Sequence, residues 1–271
     1  MNRLRGLFVS FVLFLSLPLS AAVSESELES LIEKVNRIYQ PVAKQAGGEL
    51  FFKFRRESSL AVASAFADGK NFWVTIYGGF YLSPRQTRDG LIFGICHELG
   101  HLFGGAPRRP APFDYDGPIA HDGQSLLSSE GQSDYYAGLV CFREIAAGED
   151  HLESLKGRHI PDRVIQECDR AWGPNTDSAR ICYRTALAAF DLLNLVRDFP
   201  ISFDHPDTRI VERTNSYSYP SRQCRLDTAF AGALCQKRSR KRFNSDDPLA
   251  DGCMGGAGAR PACWFRLMDY L

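Results

Sequence analysis

The chain has 271 residues, with 32 basic and 32 acidic side chains and 44% hydrophobic residues. This length and composition are typical of one medium-sized globular domain that can bury a sizeable core. The formal net charge of zero argues against nucleic acid or an anionic membrane surface as the main partner, because both select basic proteins.

The first 22 residues have the pattern of a secretory signal peptide. Two arginines precede an apolar run over 7–19, and small residues at 20–22 fit a cleavage site. The apolar run is too short to span a membrane comfortably, and no later stretch is long and apolar enough for a second span. We therefore expect a signal peptide over 1–22, and a secreted or periplasmic domain over 23–271 that keeps no membrane span.

All eight cysteines follow the predicted cleavage site, which favours disulfide bonds formed in an oxidising compartment. Three pairs would close short loops: Cys168 with Cys182, Cys224 with Cys235, and Cys253 with Cys263. If 225–234 is a helix, however, Cys224 and Cys235 are about 16 Å apart and cannot bond to each other. Each would then pair with one of the two later cysteines of the cysteine-rich tail, which covers about 214–271.

The hydrophobic pattern predicts a helix, a small sheet and a second, longer helix in the first hundred residues. The first helix begins near Ser26, after which apolar residues recur at helical spacing, and ends near Pro41. Three stretches rich in aromatic and β-branched residues predict strands: 49–54, 60–66 and 71–77. Ser83, a capping residue followed by proline, predicts the start of the next helix, and Gly104 its end.

The rest of the chain is predicted to be mainly helical. After a long loop over 107–123, a helix begins near Ser128 or Ser129 and runs through Cys141. Later stretches with helical patterns are 161–171, 177 to about 198, and, more weakly, 205–213 and 226–234. A small sheet packed on one helix and followed by a mainly helical part is an α+β fold.

The sequence His97-Glu98-Leu99-Gly100-His101 lies within the second predicted helix. On a helix, His97 and His101 project from one face and can hold one zinc ion, while Glu98 can act as general base on a zinc-bound water. The alternative without a metal site is a surface helix that carries two histidines. The apolar residues around the motif predict a buried helix instead, where such polar groups are costly unless they are paired.

A catalytic zinc needs a third protein ligand. The pattern H-E-x-x-H-x-x-G-x-x-H is excluded, because its last position is Pro107. His121 in the long loop is one alternative, although a loop histidine that simply faces solvent is the simpler interpretation of it.

Glu130 is the favoured third ligand. Asp134 lies four residues later on the same helical face and can accept a hydrogen bond from a ligand histidine. The alternative is an ordinary acidic surface, but the flanking apolar residues predict burial, and buried carboxylates need partners. Cys141 would lie about 16 Å from Glu130 along this helix, which leaves a bridge from Cys141 to Cys96 open.

These residues together resemble a gluzincin metallopeptidase, and more narrowly metallopeptidase family forty-eight. That family includes the CAAX prenyl endopeptidase, the heat-shock protease HtpX and soluble periplasmic relatives. Further stretches that are similar to the family's motifs are Ser64-Ala65-Phe66-Ala67 before 74–79, Asp89-Gly90-Leu91, and His205-Pro206 with Arg209. The chain departs from the family in Ser64, which replaces an asparagine, in a short interval between the second histidine and Glu130, and in its cysteine-rich tail.

The resemblance implies a zincin-like α+β domain that hydrolyses peptide bonds with one Zn²⁺ ion. His97, His101 and Glu130 would be the metal ligands, Asp134 would orient a ligand histidine, and Glu98 would be the catalytic base. His205 would be the first candidate to stabilise the oxyanion, ahead of Arg209, Tyr217 and Tyr219.

A protein or peptide is the expected substrate. The third predicted strand, with Val74, Ile76 and Gly78, would be the edge on which an extended peptide pairs, and the 107–123 loop would form a wall or lid. Two alternatives remain: a non-catalytic secreted binding or scaffold protein with a structural zinc, and a latent protease. For the latent protease, the loop or the basic run at 237–242 would be the trigger.

Overall fold

The computed structural model describes residues 23–110, 124–195, 200–238 and 240–271. The predicted signal peptide over 1–22 and the alternative ligand His121 lie outside the described residues.

Helices and a small sheet make up the described fold, which confirms the α+β class. The helices are α1 Glu25–Gln45, α2 Gly78–Tyr81, α3 Arg88–Phe103, α4 Glu130–Tyr136, α5 Phe142–Ala146, α6 His151–Leu155, α7 Asp162–Trp172, α8 Asp177–Leu193 and α9 Arg222–Leu234. A π-helical turn, Ala137–Cys141, joins α4 to α5, and a 3₁₀ turn, Leu267–Asp269, lies near the end. The strands are β1 Leu50–Arg55, β2 Ala63–Ala67, β3 Phe72–Tyr77, β4 Arg108–Pro110 and β5 Gln124–Ser128.

The three-stranded sheet has the order β1-β3-β2, with β1 parallel and β2 antiparallel to β3. Val74 and Ile76 of β3 are fully buried, and Gly78 begins α2. Because β3 is hydrogen-bonded on both sides, it cannot add a peptide strand, and the predicted substrate edge is wrong. Among the described strands of this sheet, the outer ones are β1 and β2.

Helix α3 lies at the centre of the molecule. It begins at Arg88 rather than at Ser83, because the hydroxyl of Thr87 accepts a hydrogen bond from the Gly90 amide (3.0 Å) and caps the helix. The side chains of α3 are buried from 90 to 103, since the sheet, α4 and α8 cover it on different sides. Any polar residue on this helix therefore needs a partner inside the protein.

Two further helical predictions were wrong. Helix α1 continues through Pro41 to Gln45, because Val42 and Ala43 beyond the proline are buried in the core and offset the one backbone hydrogen bond that a proline removes. The stretch 205–213, predicted as weakly helical, is irregular.

The disulfides follow the tertiary structure. They are Cys96–Cys141, Cys168–Cys182, Cys224–Cys263 and Cys235–Cys253. The sequence predicted that Cys224 and Cys235 cannot bond to each other if 225–234 is a helix. This stretch is helical, within α9, and each of the two cysteines bonds instead to a later cysteine of the tail. Four disulfides are compatible with a secreted protein. None of the described helices is long and apolar enough to cross a membrane.

Candidate metal centre

Helices α3 and α4 approach closely at Gly100. A Cβ atom on this residue would lie 2.7 Å from the carbonyl oxygen of Ser133, so only glycine permits the contact. Cys96 precedes both histidines and is bonded to Cys141, which follows Glu130, so the two helices run antiparallel. The face of α3 that carries the histidines therefore meets the face of α4 that carries the acids.

His97, His101 and Glu130 form a buried group, which we call the metal cluster. The Nε2 atoms of the two histidines are 3.1 Å apart. Glu130 Oε2 lies 3.2 Å from His97 Nε2, and Glu130 Oε1 lies 3.6 Å from His101 Nε2. These ligand atoms all lie within 4.8 Å of one another, so the group could bind a metal ion.

The outer ring nitrogens fix the orientation of both histidines. His101 Nδ1 lies 2.8 Å from the carbonyl oxygen of Ser128, which can only accept a hydrogen bond, so Nδ1 carries the proton. Asp134 Oδ1 lies 2.8 Å from His97 Nδ1 and has the same effect on that ring. In these tautomers both Nε2 atoms are acceptors, and they face the carboxylate of Glu130.

Three acceptors that face one another repel unless a cation lies between them. Ligand atoms around a tetrahedral zinc, at their usual distance from the ion, are about 3.3 Å apart, close to the separations in the metal cluster. Glu130 Oε2 is also buried, and His97 Nε2 is the ligand atom that lies 3.2 Å from it. The donor set therefore fits a zinc-type ion.

The charges around the cluster attract a cation to it. Burial alone would lower the pKa of His97, but the neighbouring Asp134 and Glu130 outweigh burial and raise this pKa to about 9. Burial and the nearby His97 lower the pKa of His101 to about 3. The carboxylates thus favour one positive charge at His97 Nε2, where a proton and a metal ion compete.

Arg225, in the first turn of α9, forms an ion pair with Asp134. Its Nε and Nη2 atoms donate to the two oxygens of Asp134 at 2.7 and 2.9 Å. Burial would raise the pKa of Asp134, but the charges of Arg225 and His97 lower it below its usual value. Asp134 therefore stays ionised and orients His97. The sequence contains no spacing signal for Arg225, because it lies 91 residues after Asp134.

Arg109 of β4 contacts the cluster from the other side. Its Nη2 atom donates to His101 Nε2 at 3.1 Å and also contacts Glu130 Oε1. A guanidinium group thus lies against two of the three ligands. Ser133, whose hydroxyl is 2.8 Å from His101 Nδ1, is a further residue that sequence reasoning missed, although its position three residues after Glu130 could have indicated it.

Glu98 is buried beside the cluster but is not part of it. Together with His97 it lines a small pocket between α3, α8 and α9. Burial raises the pKa of Glu98 to about 7, although the adjacent His97 acts in the opposite direction. A carboxyl group with a pKa near neutrality is suited to accept and release protons.

The structure does not bring His205 to the cluster. His205 is exposed in an irregular stretch, in which the Asp207 amide donates to Asp227 of α9 at 2.7 Å. Asp227 lies two residues after Arg225 and so projects from the opposite face of α9. The Arg209 side chain donates a hydrogen bond to Asp207, two residues earlier in the same irregular stretch.

Comparison of the chain with protein-family models, curated proteins and solved structures gave no match. The function must therefore be inferred from the chemistry of the metal cluster and the surfaces around it.

Proposed function

We propose that this chain is a secreted or periplasmic zinc-dependent endopeptidase with a zincin-like fold. The observation that carries the proposal is the convergence of three acceptor atoms, from His97, His101 and Glu130, beside the buried carboxyl group of Glu98. The resemblance to metallopeptidase family forty-eight, based on the same residues, supports it.

Each polar residue has a separate role. When bound, zinc supplies a Lewis acid that polarises a carbonyl group and lowers the pKa of water. Glu98 accepts the proton from the attacking water and passes it to the leaving amine. Asp134, held by Arg225, keeps the proton of His97 on Nδ1, so that Nε2 stays available as a ligand.

The outer strand β2 is the candidate edge for the substrate, in place of Val74, Ile76 and Gly78. Ala63 begins β2 and residues 61–62 precede it, and all three line the same pocket as His97 and Glu98. An extended peptide that pairs with this edge would pass beside the pocket that Glu98 lines.

A latent protease is a second candidate, favoured by the contact of Arg109. The guanidinium group donates to His101 and touches Glu130, so it must move before an ion can use both ligand atoms. In this form the protein needs a change in β4 before it becomes active.

Zinc content and hydrolysis of casein, with and without a chelator, test the proposal. We expect stoichiometric zinc and activity that the chelator abolishes. Glu98→Gln should keep zinc but lose about 10²- to 10⁴-fold in rate, the usual contribution of a general base. Glu130→Ala should lose zinc, whereas His121→Ala should keep it. Casein cleavage by Glu98→Gln at the wild-type rate would refute the assignment of the base.

A further inference from the structure

A cleft of about 850 Å³ lies between one face of α1 and the segment 240–245, and we call it the basic cleft. Both walls lie outside the stretch 64–209, which carries the family resemblance, and no residue of the metal cluster lines the cleft. Sites for small molecules have volumes of about 300–1,000 Å³. The basic cleft is therefore large enough to hold a small molecule of its own.

The charge of the basic cleft has one sign. Its cationic side chains are Arg37, Arg240, Lys241 and Arg242, and the described lining contains no aspartate or glutamate. The chain as a whole has a net charge of zero, so these four cations are a local concentration of positive charge. Like charges around one cleft repel each other, and an anion between them relieves the repulsion.

Two of the four cations are paired with acids that do not line the cleft. Lys241 Nζ lies 3.0 Å from Glu144, and Arg240 Nη2 lies 3.8 Å from Asp251. Within the part of the chain that the structure describes, the other two, Arg37 and Arg242, form no ion pair and no side-chain hydrogen bond. These two guanidinium groups are exposed and can donate to a ligand.

The 240–245 wall of the cleft is fixed to the core. The Phe243 amide donates to the carbonyl oxygen of Phe103 at the end of α3 (2.9 Å), and the Asn244 carbonyl oxygen accepts from the Ala106 amide (2.9 Å). The Phe243 side chain is buried. The backbone beside the cations is therefore already ordered, which lowers the entropy cost of binding a ligand.

We propose that the basic cleft binds a small anion that carries at least two linked phosphate groups. Guanidinium groups match phosphate with two parallel hydrogen bonds, and three of the four cations are arginines. An extended acidic peptide places side chains of one face roughly 7 Å apart, with one charge each. Linked phosphates carry several charges in a shorter length, which fits four cations around one cleft.

This inference does not depend on the proposed peptidase function. Titration calorimetry with inorganic triphosphate tests it, and we expect one-to-one binding with a Kd below about 1 mM. Arg37→Gln and Arg242→Gln should each weaken binding by at least about tenfold. Both side chains are exposed, so neither variant should disturb folding.

Arg238→Gln is the matched control. Arg238 is an exposed arginine of the same basic run, but it does not line the cleft, so its loss should weaken binding by less than about twofold. Absence of binding by the wild type would overturn the inference. So would equal losses in Arg238→Gln and Arg242→Gln, which would show attraction to diffuse charge instead of a site.

Triphosphate also chelates zinc, so the metal cluster needs its own control. Glu130→Ala, which should lack zinc, should bind triphosphate as tightly as the wild type does. Loss of binding in this variant would overturn the inference, because the metal cluster would then hold the anion. A short poly-aspartate peptide should bind at least about tenfold more weakly than triphosphate, and equal affinities would refute the preference for phosphate.

Vesicles distinguish a free phosphate compound from a lipid headgroup. The zero net charge of the chain favours a free compound, so we expect no sedimentation with phosphatidylglycerol vesicles beyond that with phosphatidylcholine vesicles. Sedimentation that triphosphate reverses and Arg242→Gln abolishes would identify the phosphate as a headgroup, in support of the same site. Sedimentation that Arg242→Gln leaves unchanged, together with no binding of triphosphate, would overturn it.

Discussion

A polar cluster lies near each end of helix α3, and the two clusters differ in how donors and acceptors are matched. Near the start of α3, Arg184 of α8 donates to both oxygens of Asp89 at 2.9 and 2.8 Å. The same guanidinium group donates to Glu149 and to His151 Nδ1, each at 2.8 Å. We call these four residues the ion-pair cluster.

In the ion-pair cluster each of these contacts joins a donor to an acceptor, so it needs no further ion. In the metal cluster, His97, His101 and Glu130 turn three acceptor atoms towards one another, and Arg109 donates to two of these residues from one side. Both groups contain acidic and histidine side chains; the metal cluster is buried, whereas Asp89 and Glu149 of the ion-pair cluster are partly exposed. The balance of donors and acceptors therefore distinguishes a structural network from a cation site.

The largest expected effect is the loss of Arg184. Arg184→Met leaves the partly buried Asp89 without the guanidinium group that holds both of its oxygens, and it removes one of three cations from Glu149. It should lower the free energy of unfolding by about 3 kcal/mol, the lower end of the cost of breaking a buried ion pair. Urea unfolding with intact disulfides measures the change. Arg180→Met, which breaks an exposed pair with Asp177 on the same helix, should cost less than about 0.5 kcal/mol. Equal losses of stability in the two variants would contradict the interpretation that Arg184 stabilises the ion-pair cluster.

Acid should weaken the ion-pair cluster. Burial would raise the pKa of Glu149, but hydrogen bonds from Arg88, Lys34 and Arg184 outweigh burial and lower it to about 2. Since the folded pKa lies below the unfolded value, the stabilisation is complete above about pH 5 and is lost towards pH 2.

The comparison with Glu149→Gln measures this stabilisation. Wild type should exceed the variant by an amount on the order of 2 kcal/mol at pH 6, allowing for partial solvation of the carboxylate, and the difference should shrink towards pH 2. Glu153→Gln, at an exposed residue, is the control and should give no such trend. A difference that stays constant between pH 6 and pH 2 would contradict the ionic origin.

The next largest effect is expected at the metal cluster, from the loss of Arg225. Arg225→Met frees Asp134 and with it the orientation of His97, so zinc affinity should fall by about 10- to 100-fold. Competition with a chromophoric chelator measures this affinity. Arg225→Lys keeps the positive charge but cannot donate to both oxygens of Asp134 in the same way. Its zinc affinity should lie between those of Arg225→Met and the wild type. Unchanged affinity in Arg225→Met would show that Asp134 needs no support.

The smallest expected effect has the opposite sign. Arg109→Gln removes the guanidinium group that competes for Glu130 and His101, so zinc affinity should rise by about three- to tenfold. Arg108→Gln is the matched control, because the neighbouring side chain on β4 contacts Asp246 instead. Weaker zinc binding by Arg109→Gln would mean that Arg109 supports the site rather than blocks it.

The residues of the metal cluster could be predicted from the sequence because their spacing is local. His97 and His101 lie on one face of any helix, and so do Glu130 and Asp134, whatever surrounds them. Amphipathic and β-branched patterns likewise predicted most helices and all three strands of the main sheet. Spacing contained no information on Arg225 or Arg109, because each reaches the cluster from another element.

The sequence by itself thus determined the α+β class, the positions of these elements and the group of residues that could hold a metal ion. Only the tertiary structure decided that β3 is the central strand, that His205 lies away from the cluster, and which cysteines pair. The physical reason is that periodicity sets which side of an element is buried, whereas strand order and disulfide partners depend on packing between distant segments.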